Sequence, residues 1–107
     1  MTFLAIDSQK NLFTMQKSQL QFEQALIMNR SSLITKEMGQ YSASFDEPAD
    51  LDNDYYYQQL QKQEEFLSTR KDSLDSQINL LDNAINGMKT MVNNNIKSSC
   101  TLNLLGG

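Results

Sequence analysis

Asp50, Asp52 and Asp54 alternate in a stretch, residues 42–54, that carries five acids and no base. Carboxylates at every second position are the spacing of the first three ligands of an EF-hand loop, whose oxygens ring a hard cation. The pattern then fails. Tyr55 stands where the turn glycine belongs, and Gln61 where the bidentate glutamate belongs. Helix capping and solubility are therefore the expected roles of these acids, and no metal ligand is expected. Nucleophilic chemistry has equally little to work with. Cys100 has only Lys97 nearby and no histidine to deprotonate it, so a structural thiol is expected. The pairs Glu64–Glu65 and Asp72–Asp75 fall on solvated helix faces. Histidine is absent altogether, and with it the commonest general base and metal ligand. No catalytic residue and no cofactor are expected, and the chain reads as a non-enzyme.

The chain of 107 residues has four glycines, one proline, one cysteine and no tryptophan, with a net charge of −4. Few helix breakers among many Gln, Leu, Lys, Asn and Ser favour long helices over sheet. A net negative charge offers no basic face for phosphates, so no nucleic-acid partner is expected. The apolar runs Phe3–Ile6 and Ala25–Met28 are too short to span a bilayer, so no transmembrane segment is expected. No positively charged segment precedes Phe3, so no cleaved export signal is expected. The default location is cytoplasmic, with leaderless secretion as the alternative.

The elements that would position any surface are two helices. In the second, Leu60, Leu67, Leu74, Leu81 and Met88 recur every seven residues, interleaved with Tyr57, Ile78, Ile85 and Val92. Steps of three and four place one apolar seam along a helix, as in coiled-coil packing. The same register puts Glu64 and Lys71 in the seam. This helix should run from about residue 54 to 97, spanning Gly87, with residues 99–107 a flexible tail. In the first segment Ile6, Phe13, Leu20, Ile27, Ile34 and Tyr41 form a second seven-residue series. Leu12, Leu26 and Leu33 are expected on one flank of it, and Met15 and Phe22 on the other. This helix should cover about residues 2–41, capped by Thr2, Asp7 or Ser8 and ending near Gly39. Between them, Pro48 breaks the period in an acidic loop over 42–53, where a short helical turn starting at Pro48 is compatible with proline chemistry. Asp52 or Asp54 should cap the second helix.

Two such helices joined by one loop predict an all-α fold, a long antiparallel two-helix hairpin with coiled-coil-like packing. Aligning residues whose numbers sum to about 98 sets Tyr41 against Tyr57, Leu20 against Ile78, Phe13 against Ile85 and Ile6 against Val92. Ile27 and Ile34 then face Lys71 and Glu64. A single hairpin of this size buries little core, and Leu12, Met15, Phe22, Leu26 and Leu33 are left for an interface. Self-association, most simply a dimer completing a helical bundle, is the expected state, with another helical protein as the other partner class.

In shape this hairpin resembles two families of leaderless secreted helical hairpins. Type III secretion needle subunits have a proline-containing turn between two helices, where this chain has Pro48 in a longer acidic loop. WXG-type proteins carry Trp-x-Gly in their turn, and no tryptophan is present here. The closing Leu-Leu-Gly-Gly, ending at Gly106 and Gly107, resembles the tail of ubiquitin-like modifiers, whose β-grasp body is unlike these helices. No functional position carries over from these likenesses. The function expected is a structural, assembly or protein-interaction module acting through amphipathic helices. The alternative is an exported hairpin subunit of that shape, or a chaperone for one.

Overall fold

The computed structural model describes the backbone of residues 2–106 and the side chains of residue 2 and residues 4–97. Cys100 and the terminal glycines therefore lie outside the described side chains. The fold is all-α, with α1 (Phe3–Ser42), α2 (Pro48–Asp52) and α3 (Tyr55–Gly106), and no strand among the described residues. The two long helices pack against each other as a helical hairpin.

Each helix end follows from local chemistry. Thr2 starts α1, its Oγ1 accepting the Ala5 N–H at 3.3 Å and its carbonyl the Ile6 N–H at 3.1 Å. Asp7, one of the alternative caps, instead pairs with Lys10 at 3.0 Å within the helix. Gly39 does not end α1. Among the described residues no glycine has the left-handed conformation of a helix-terminating glycine, and the chain continues helically to Ser42. The last carbonyls are satisfied by hydroxyls and turn amides. Ser42 Oγ donates to the Gly39 carbonyl at 3.0 Å, and Ser44 Oγ to that of Tyr41 at 2.7 Å.

Glu47 is extended (φ −114°, ψ 125°), as a residue before proline tends to be, and Pro48 opens α2. Asn53 closes this short helix by donating its side-chain amide to the Ala49 carbonyl at 3.0 Å. Of the two candidate caps, Asp54 starts α3, its Oδ2 accepting the Tyr57 N–H at 3.0 Å. The α3 backbone is helical to Gly106, beyond the end expected near residue 97. The reason is composition: no proline or glycine interrupts residues 88–105, and the three asparagines at 93–95 weaken a helix without breaking it.

Contacts divide the chain into two compact units, Met1–Gln21 with Ser76–Gly107, and Phe22–Asp75. In the first, Ile6, Ile78, Ile85 and Val92 are buried, while Phe13, Leu20, Leu81 and Met88 are half-buried. Lys17 pairs with Asp82 across it. In the second, Ile34, Leu60 and Leu67 form the core, with Ile27 and Met38 packed against them. Leu74 is fully buried and Tyr57 half-buried. Gln24 donates to Asp75, and Arg70 grips Glu23 through Nε and Nη2 at 3.1 and 2.7 Å. In both units the polar cross-links join residues whose numbers sum to within a few of 98, the antiparallel register expected from the two seven-residue series. Burying each of these leucines and isoleucines stabilises the fold by about 1.5–3 kcal/mol before entropy is counted.

Candidate interaction surfaces

The five residues assigned to an interface are all exposed, but not on opposite flanks. Helical residues three, four or seven apart share a face. In the second unit, Phe22, Leu26 and Leu33 therefore present one outer face of α1, with exposures of 67%, 54% and 60%. In the first, Leu12 and Met15 are three apart and are exposed by 43% and 55%. The two-flank expectation fails because position i+2 and position i−1 of a seven-residue series lie roughly 60° apart at 100° per residue. On α1 the polar residues Glu23, Arg30 and Glu37 separate the outer face from the buried seam.

At the turn, a polar and aromatic cluster joins α1 to α3. Tyr41 Oη donates to Asp54 Oδ2 at 2.7 Å, and its ring meets Tyr56 edge-on at 4.8 Å and Phe45 at 5.2 Å. Tyr56 Oη donates to Glu37 Oε1 at 2.9 Å. These bonds hold both hydroxyls protonated. The Tyr41 pKa is raised by the bond to Asp54 first, then by burial and by the Asp54 charge; Tyr56 is raised in the same way by Glu37. Of the three consecutive tyrosines, Tyr57 is half-buried, Tyr56 is engaged with Glu37, and Tyr55 points outward at 74% exposure.

Asp54 Oδ2 thus serves both the α3 cap and the bond from Tyr41. Among the described residues no three carboxylates or thiols converge on a metal-sized site. Glu64 and Lys71 are half-buried beside Ile27 and Leu67 in a shallow groove. A second cleft has a different character. Arg30, Ile34, Lys62, Gln63, Phe66 and Leu67 line it, with the Phe66 ring 70% exposed. No sequence spacing marks this cleft, because Arg30 and Lys62 come from different helices and meet only through the hairpin. Among the described residues, no helix is long and apolar enough to cross a membrane. No protein-family model, curated protein or solved structure matches this chain.

Proposed function

We propose that the chain is a non-enzymatic assembly module that works through the outer face of α1. The observation that supports this reading is the exposure of Phe22, Leu26 and Leu33 on one helix face in a unit whose own core is already filled by other residues. Large apolar side chains grouped on one face favour a partner that removes them from water. The partner of best fit is a second amphipathic helix, from another copy of this chain or from another helical protein. A two-fold dimer is the simplest closed form, since one patch then serves both chains and a helical bundle results.

Light scattering at micromolar concentration tests the reading. The parent chain is expected to associate, and Phe22→Ser with Leu26→Ser to reduce association at unchanged helicity by circular dichroism. A parent chain that stays monomeric and binds no helical protein, or a double variant that associates like the parent, overturns it.

A further inference from the structure

The Arg30–Lys62 cleft borders the outer face of α1. Two cations and an exposed phenyl ring line it, together with the buried Ile34 and Leu67. Neither cationic side chain has an ion-pair or hydrogen-bond partner among the described residues. The complementary charge is present in the same unit. Asp46, Glu47, Asp50 and Asp52 are exposed at the turn with no cation against them among the described residues. Among the described residues the turn makes no contact with its own cleft, whose nearest cation, Lys62, lies seven residues after Tyr55, about 10 Å along α3. Arg30 lies twelve residues before Ser42, about 18 Å along α1, and Phe66 lies eleven after Tyr55, about 16 Å along α3.

We propose that this cleft receives the acidic turn of a second copy of the chain, with carboxylates of α2 set between the Arg30 guanidinium and the Lys62 ammonium. The cleft that a chain's own turn leaves unfilled is open to the turn of a second copy. Hairpins laid side by side in opposite directions, overlapped by the distance from cleft to turn, make the contact twice about one two-fold axis. Such an arrangement is closed and uses the same patch on both copies. Leu33, one turn beyond Arg30 and 60% exposed, lies inside the overlapped stretch and adds apolar area to the ionic contact. Phe22 and Leu26 lie outside it, so this contact is a second two-fold interface beyond the assembly reading above, and a chain that uses both links one dimer to the next. An exposed phenyl beside two cations suits an acidic segment that also carries an exposed apolar residue, which Ala49 supplies.

Sedimentation equilibrium of charge-reversed chains tests the contact. The parent is expected to dimerise, more weakly at high salt, because exposed ion pairs are screened beyond about 8 Å at physiological ionic strength. Arg30→Glu with Lys62→Glu, and separately Asp50→Lys with Asp52→Lys, should each raise the dissociation constant at least ~10-fold through like-charge contact. Mixing the two variants in equal amounts should restore a mixed dimer to within about threefold of the parent, since both of its contacts are again between opposite charges. All substituted residues are exposed, and circular dichroism checks that each variant stays helical. A monomeric parent, variants that dimerise like the parent, or a mixture that restores nothing overturns the proposal. Association lost on Phe22→Ser with Leu26→Ser but indifferent to charge reversal would sink this contact and leave the assembly reading standing.

Discussion

Tyr41 Oη and Asp54 Oδ2, 2.7 Å apart, tie the end of α1 to the start of α3, and the same carboxylate oxygen accepts the Tyr57 N–H at 3.0 Å. One side chain thus caps a helix and closes the turn. Its two bonds depend on each other, because the cap fixes the carboxylate that Tyr41 must reach.

Asp54→Ala should therefore cost more than Tyr41→Phe. The tyrosine substitution removes one hydrogen bond while keeping the ring against Phe45 and Tyr56, a loss of about 0.5–1.5 kcal/mol. The alanine substitution also removes the cap, a further loss of about 1 kcal/mol. Urea denaturation followed by circular dichroism measures both. Equal effects would mean that the clasp and the cap are not shared.

The turn should also loosen in strong base. Tyr41 and Tyr56 have folded-state pKa values raised above the ordinary 10.0 because each hydroxyl donates to a carboxylate. A group whose pKa is raised on folding contributes stability that is present below its unfolded value and lost as pH rises through the folded one. Stability should be flat with respect to these tyrosines at neutral pH and fall above pH 10. In Tyr41→Phe with Tyr56→Phe that alkaline loss should shrink. An identical alkaline profile for parent and variant would refute the assignment.

Leu74 and Leu81 occupy equivalent places in the seven-residue series but are buried differently. Leu74 is fully buried, and Leu81 is half-buried. Leu74→Ala should cost about 3–5 kcal/mol and Leu81→Ala less, about 1–3 kcal/mol, because the latter leaves a smaller cavity that water can fill. Thermal melts decide the order.

Gly87 lies inside α3 with a right-handed helical conformation and nothing within 4 Å of where a Cβ would sit. Gly87→Ala should stabilise the chain by about 0.5–1 kcal/mol through helix propensity alone. Gly39 meets the same conditions in α1, and Gly39→Ala should act in the same direction. A lowered melting temperature for either variant would show that the glycine serves a contact of its own.

Local periodicity is enough to mark the elements and their inward faces. A seven-residue apolar repeat has a local cause, the helical period, so Ile34, Leu60, Leu67, Leu74, Ile78, Ile85 and Val92 could be read as buried without knowing their neighbours. Pro48 and Asp54 were equally legible, because a missing amide and a capping carboxylate act within a few residues of themselves. Gly39 misled for the opposite reason: glycine permits a left-handed end without requiring one. Which polar groups meet depends instead on how the two helices pack. Glu23 finds Arg70 and Tyr41 finds Asp54 from opposite helices, and Arg30 comes to share a cleft with Lys62 and Phe66. These pairings depend on how far each helix is rotated about its axis and how far each side chain reaches, and spacing along one helix encodes neither. That Phe22, Leu26 and Leu33 share a face follows from helical spacing alone, whereas their exposure depends on what the opposite helix covers.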